Sequence, residues 1–336
     1  MRALTAGELN RTLLQRQLLL ERRRRSLTGA VDGLVALQAQ YAPSPYVALW
    51  SRVAGFRKEQ LTDALRSGSV VKAGVMRGTL HVVTRELYPF IEAAHIDAQR
   101  GRVEGRGMDP AGLAARWPDG PVDDADALAA ELLGTDDRWT IAFTLRAMPW
   151  VRTAPVGVWP HTKPSPSVLW REPLASPEAG AARVVRGYLA AYGPAAREDV
   201  EQFTSFKVRQ IEPALAGLPT FVDEAGRKLF DVPRATITPA ETPAPVRFLP
   251  PFDSILLAHR DRSRILPNAY REVVLRRRNA TTLATFTVDG RVAGSWRAVR
   301  SRRRYRVDVE PFSPLPAKAR GEVEAERDAL ERFYNN

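Results

Sequence analysis

The chain has 336 residues, 44% of them hydrophobic, with 50 Lys and Arg against 38 Asp and Glu and a formal charge of +12. That apolar fraction builds a core and excludes a disordered chain, and at roughly 150 residues per domain the length suggests two or more units. The absence of cysteine excludes disulfides, zinc ribbons, iron–sulfur clusters and thiol nucleophiles, and it fits a cytoplasmic protein.

The spacing predicts a helix over 5–24, capped by Thr5 with Glu8 three residues on, and with Leu9, Leu13, Leu14 and Leu18 on one face. The start, MRALTAGELN, turns polar at once and lacks the apolar run of a secretory signal. Arg22, Arg23, Arg24 and Arg25 suit the helix's C-terminal end. A second helix over 28–41 (Val31, Leu34, Val35, Leu37) is expected to stop at Pro43 and Pro45. Helices over 45–55 and 58–66 follow, then a ribbon of 70–73 and 78–84. Helices followed by a two-stranded ribbon are the order of a winged helix.

The pattern returns with helices over 123–133 and 140–147 and a ribbon running from Trp150–Arg152 through Val156–Trp159. It returns again with helices over 178–192, 195–203 and 207–216 and a hairpin of 221–223 and 228–232. Residues 236–245 are a Pro-rich linker. Strands are expected over 246–249, 254–259, 273–275, 284–288, 292–299 and 305–309, with a DGR turn at 289–291, before a charged helix over 317–334. The expected fold is therefore α+β: three tandem winged helices over 1–110, 111–177 and 178–240, and a β-rich C-terminal domain over 241–336. No apolar run approaches the roughly 18 residues of a membrane helix.

Charge is unevenly placed. Residues 1–110 carry a net +7, residues 111–240 a net −2 and residues 241–336 a net +7. Two basic ends around a neutral middle suggest two contacts on one extended polyanion such as DNA. Arg outnumbers Lys 44 to 6, which suits phosphate forks but also follows from an Ala/Arg-rich composition.

The usual catalytic templates are missing: no HExxH, no phosphate-binding GxxxxGK[ST] loop, no GxGxxG after a strand and no GxSxG elbow. The four histidines, at 81, 95, 161 and 259, have no carboxylate at ligand spacing, so neither a catalytic metal nor a cofactor is expected. Leu37-Gln38-Ala39-Gln40-Tyr41 places two amides at the end of an apolar helix, where two residues apart is about 200° and one amide should turn inward. From spacing alone one glutamine caps a helix end and the other is exposed.

The LQAQY motif, SPYVALWSR, VMRGTLHVVTREL, PVGVW, LPPFDSILLAHRDRSRILP and VDGRVAGSW together resemble the winged-helix DNA glycosylase family of AlkZ and its YcaQ-type relatives, over nearly the whole chain. Gln40 stands where the YcaQ-type branch carries Asp, which places the sequence on the AlkZ side. The resemblance implies that Gln38 and Gln40 are the catalytic pair of a monofunctional glycosylase acting on N7-alkylated purines and interstrand crosslinks. Such lesions are cationic and leave without protonation, so amides that position water and face the developing sugar cation suffice. The implied partner is double-stranded DNA bound by a monomer, with no membrane.

Arg77, Thr79 and His81 alternate on an expected strand and read as a DNA-facing rib of the first wing, or as the solvated side of a half-buried strand. Arg297, Arg300, Arg302, Arg303, Arg304 and Arg306 form the densest basic cluster, suited to phosphate or minor-groove contact, or to guarding a strand edge. Asp253, His259, Asp261 and Arg262 read as a structural network, and Tyr46 and Trp50 as core. Two further functions fit the composition: a non-catalytic winged-helix regulator, and a protein that sequesters the alkylating agent in an apolar pocket.

Overall fold

Thr5 and Glu8 close a reciprocal capping box between strand β1 (Ala3–Leu4) and helix α1 (Ala6–Arg16). The expected helix over 5–24 ends early, because Leu18 takes a left-handed φ of 56°. The polar side of α1 is buried as well as the apolar one. Asn10 donates to the carbonyls of Arg264 and Gly290 at 2.6 and 2.8 Å, Gln17 donates to that of Ala191 at 2.9 Å, and Arg16 forks onto Asp231 at 2.7 and 2.8 Å. The helix therefore runs through the molecule as a strut. The coordinates are a computed structural model that describes residues 2–154, 157–159, 166–276, 281–302 and 304–336.

The next stretch holds α2 (Leu27–Gly33), β2 (Leu37–Gln38), α3 (Pro43–Arg52), α4 (Lys58–Ser67), β3 (Val70–Gly74) and β4 (Leu80–Thr84). The helix expected over 28–41 stops at Gly33, since Val35 is left-handed at φ 65° and the chain leaves extended to pair with β4. Pro43 and Pro45 start α3 instead of stopping its predecessor; in a first turn the missing N–H breaks no helical bond. Gly68, at φ 74°, ends α4.

Helix α5 (Tyr88–Glu104), absent from the sequence reading, leads to α6 (Pro110–Arg116), α7 (Ala125–Leu133), α8 (Arg138–Arg146), β5 (Trp150–Arg152) and β6 (Ser167–Leu169). The return leg of this ribbon is 167–169; Gly157–Trp159 form no strand, and Val156 lies outside the described residues. Then come α9 (Pro177–Tyr192), α10 (Arg197–Thr204), α11 (Val208–Leu215), β7 (Thr220–Asp223) and β8 (Lys228–Phe230). Gly180 lets α5 and α9 cross closely: a Cβ there would lie 2.4 Å from the carbonyl oxygen of Phe90. In each of the three stretches a residue between two helices bridges to the last strand of the ribbon: Gln38 to His81, Val122 to Ser167 and Ala195 to Phe230.

After an irregular run, β9 (Arg247–Leu249) is followed by a 3₁₀ turn, Ser254–Leu256, where a strand over 254–259 was expected. Asp253 imposes the turn by accepting the Ile255 N–H at 3.1 Å. Helix α12 (Arg271–Val274) takes most of the expected 273–275 strand, ahead of β10 (Leu275–Arg276), β11 (Thr281–Thr282), β12 (Thr285–Val288), β13 (Arg291–Ser301), β14 (Arg304–Pro311) and α13 (Ala317–Asn335). The C-terminal region is thus β-rich within a mixed α+β fold. The turn joining β12 to β13 uses Asp289 and Gly290 at φ 45° and 74°.

Four sheets result. A five-stranded antiparallel sheet, ordered β2–β4–β3–β5–β6, runs across the boundary expected at residue 110, through the pair Lys72–Arg152. A four-stranded sheet is ordered β14–β13–β12–β9, β10 pairs with β11, and β1 joins β7 in parallel beside β8. One large core lies among α1, α5, α9–α11 and the 249–275 segment, and another among α2–α4, the four-stranded sheet and α13. Tyr46 belongs to the second and Trp50 packs against it, as the sequence suggested. The two regions are tied by Arg52, which forks onto Asp253 at 2.7 and 2.9 Å with both side chains 1% exposed. No described helix is long and apolar enough to cross a membrane.

Candidate active site

The motif sits in a short extended run between α2 and α3, pinned as an edge strand. Gln38 pairs with His81 across the strands, and Ala39 donates to Leu80 O at 2.7 Å. An extended chain sends alternate side chains to the same side. Gln38 and Gln40 therefore face one cavity of about 590 Å³, which corrects the helical expectation that turned one of them inward. Gln38 is 6% exposed at its floor, and Gln40 is exposed at its rim.

Each amide is held. Arg77 Nη2 donates to Gln38 Oε1 at 3.0 Å, and the Leu80 N–H donates to Gln40 Oε1 at 3.1 Å. A carbonyl oxygen has two lone pairs, so each keeps one for a ligand. Arg77 is fixed in turn: Nη1 donates to Phe203 O at 2.9 Å, and the guanidinium lies 5.0 Å from the Phe203 ring centre. Its backbone is left-handed at φ 56°, as is that of Phe252 at φ 62° on the same cavity. Two such non-glycine residues at one cavity cost about 1–3 kcal/mol each, and such strain gathers at functional sites.

His81 departs from the reading that it touches DNA, because it is wholly buried. Its Nδ1 donates to Thr79 O at 2.9 Å and its Nε2 lies 3.5 Å from Arg77 Nη2. Burial, then the Arg77 charge, pulls its pKa down to about 3, so it is a neutral support behind Arg77. Burial also lowers Arg77 to about 10, which leaves it charged at neutral pH. Thr79 lines the cavity, its hydroxyl donating to Met76 O at 3.2 Å.

Sequence reasoning missed four cavity residues, Gln202, Phe252, Arg260 and Arg271, which converge from α10, the 250–260 turn and α12. Phe252 and Arg260 lie in the LPPFDSILLAHRDRSRILP segment that carries the resemblance but had no role assigned, and Gln202 and Arg271 are lone polar residues in distant segments. Arg262, assigned to a structural network, also lines the cavity, whereas Asp253 and His259 are buried away from it, His259 against Arg264 and Tyr192 O. Among the described lining residues there is no Asp, Glu or His. A second cavity of about 730 Å³ shares Arg77, Gln202 and Arg260 with the first and adds Arg102, Arg146 and Lys207, against Glu198 and Glu201. Arg102, Arg146, Lys207, Arg260 and Arg271 close no ion pair on a carboxylate among the described residues, whereas outlying Arg183, Arg209, Arg227 and Arg306 do.

The basic hairpin lies elsewhere. Arg297 is tied to Asp308 at 3.3 Å, Arg300, Arg302 and Arg304 are exposed at the end of β13–β14, and Arg303 lies outside the described residues. Tyr305 opposite Arg300 is close enough to Tyr41 to help raise its phenol pKa, after burial, so the hairpin end flanks the motif. No group of three or more metal-ligating side chains occurs among the described residues.

The family model for AlkZ-like DNA glycosylases matches residues 31–333. The chain belongs to the AlkZ-like DNA glycosylase family. The solved structure of Streptomyces sahachiroi DNA glycosylase AlkZ superposes with a TM-score of 0.80 at 22% identity, covering 99% of this chain and 97% of that one. At that identity the match establishes an AlkZ-type fold. No curated protein sequence matches the chain.

Proposed function

We propose that the protein is a monofunctional DNA glycosylase that hydrolyses the N-glycosidic bond of N7-alkylated purines, including bulky adducts and interstrand crosslinks. The observation that carries this is the cavity's chemistry: two oriented amides, four arginines and no described group that titrates near neutrality. Without an acid the enzyme cannot assist a neutral base, so its substrate must leave unaided, as a cationic N7-alkylpurine does. The free carbonyl lone pairs of Gln38 and Gln40 hold the attacking water and stabilise the sugar as positive charge develops. Arg260, Arg262 and Arg271 neutralise the phosphates that accompany the lesion. The neighbouring cavity of about 730 Å³ gives a bulky N7 substituent room.

Three winged-helix units, over 1–110, 111–177 and 178–240, and the 241–336 domain would form the DNA cradle of a monomer; the repeated bridge from an inter-helix residue to the last wing strand supports this count. The test is release of 7-methylguanine from alkylated duplex, with abasic sites revealed by alkali. Gln38→Ala and Gln40→Ala should each be strongly impaired yet still bind DNA; full activity of the double variant sinks the mechanism.

A further inference from the structure

We infer that α8 is a second DNA-reading element, one that docks in the major groove of the duplex flanking the lesion. The inference rests on the reading that the cleft takes duplex DNA. Helices α7 and α8 are joined by the four residues 134–137, with Gly134 at φ 65°, which is helix-turn-helix geometry with α8 as the second helix. Near its start stands Trp139, which at 69% is the most exposed large hydrophobic side chain described.

Trp139 is exposed but ordered. It stacks on Phe143 with ring centres 5.9 Å apart and planes at 22°, and the guanidiniums of Arg106 and Arg146 lie 5.1 and 5.7 Å from the Phe143 ring. Residues 139, 143 and 146 share one helix face. Arg146 opens into the second cavity, so this stripe begins inside the cleft. Seven residues at 1.5 Å place Trp139 about 10 Å farther along, roughly three base steps of duplex.

Charge identifies the occupant. Arg106 and Arg146 lie over the Phe143 ring, Arg102 shares the second cavity with Arg146, Arg138 precedes Trp139 in the chain, and none of the four closes an ion pair among the described residues. Asp136 and Asp137 limit the stripe at its outer end, where Asp137 is engaged by the N–H groups of Trp139 and Thr140. Guanidiniums on the ring that stacks on the exposed indole disfavour a second copy of a chain with charge +12 and match the phosphates that flank a groove.

The experiment uses the full chain and duplexes carrying one central 7-methylguanine, either with long flanks or trimmed to three base pairs on one side or the other. Binding is read by fluorescence anisotropy, on undamaged duplex as well. Trimming one particular flank should weaken wild-type binding about 10- to 100-fold, the worth of one good base-edge contact in the major groove. Trp139→Ala and the Arg106→Ala/Arg138→Ala double variant should bind the long duplex as weakly as wild type binds the trimmed one, and should not sense trimming. Trp139 is exposed, so unchanged thermal unfolding is expected and serves as the folding control. Variants that keep wild-type affinity and flank dependence overturn the inference. A wild-type protein that excises nothing, yet loses affinity for undamaged duplex on Trp139→Ala, sinks the glycosylase reading and leaves the α8 contact standing.

Discussion

Replacing Arg77 by Ala separates orientation from presence at the amide pair. The wild-type guanidinium donates to Gln38 Oε1 at 3.0 Å and to Phe203 O at 2.9 Å, and covers the Phe203 ring at 5.0 Å. Charge-assisted bonds are worth about 1.5–3 kcal/mol each and the ring contact about 1 kcal/mol. Water entering the vacated space restores part of this, so the net stability cost should be about 2–3 kcal/mol. The larger effect is kinetic. Without Arg77 the Gln38 side chain turns freely, and one oriented dipole at a developing charge is worth about 10²–10³ in rate. Single-turnover release of 7-methylguanine should fall about 100-fold, with duplex affinity weakened far less. Arg77→Lys should recover little, because an ammonium cannot reach both acceptors in the plane of the guanidinium fork. If Arg77→Ala turns over within threefold of wild type while its melting temperature drops, Gln38 needs no orienting partner and the catalytic argument fails.

Stability should fall on both sides of neutrality. Burial holds His81 at about 3 against an ordinary 6.5 and His95 at about 4, so below about pH 6.5 the unfolded chain takes up protons that the folded one refuses. For His81 alone this removes about 3 kcal/mol by pH 4, seen as a falling urea midpoint. Glu92 is wholly buried, its Oε2 has no partner and desolvation raises its pKa well above the carboxylate range. Above about pH 4.5 the unfolded chain gains by ionising it, so stability declines as pH rises; Glu92→Gln should flatten that decline between pH 5 and 8, and an unchanged slope would mean Glu92 ionises in the fold. Arg52→Met leaves Asp253 buried alone and should cost about 3–5 kcal/mol, whereas Arg52→Met with Asp253→Leu should recover most of it; equal unfolding midpoints for the two variants would contradict a desolvated pair. Gly180→Val drives a side chain into the Phe90 carbonyl and should lower the melting temperature by several degrees.

Local chemistry made much of this fold legible. The Thr5–Glu8 box, the stop at Gly68, the Asp289-Gly290 turn and the hairpin of β7 and β8 all lie where short-range rules place them. The failures have physical causes. Periodicity could not show Val35 in the left-handed region, so the motif was placed on a helix, and Pro43 was read as a stop where it begins a first turn. The leucine spacing of the first helix said nothing of its polar residues, yet Asn10 and Gln17 find buried carbonyls more than 170 residues away. At the cavity, Gln38 and Gln40 were named from sequence, while Gln202, Arg260 and Arg271 acquire meaning only once α10, the 250–260 turn and α12 converge.

The strut-like placement of α1 has a consequence for how the chain reaches its native state. The partners of α1 arrive late: Asp231 for Arg16, Arg264 and Gly290 for Asn10, while β1 awaits Val222 and Asp223. During synthesis at about 5–20 residues per second, the first helix emerges tens of seconds before the residues that enclose it. Its capping box favours early formation, whereas its docking needs contacts 215 to 280 residues apart in sequence, the long-range kind that slows folding. A helix made first and held by partners made late closes the structure, so crowding it with an N-terminal fusion would act on the yield of folded enzyme before it acted on catalysis.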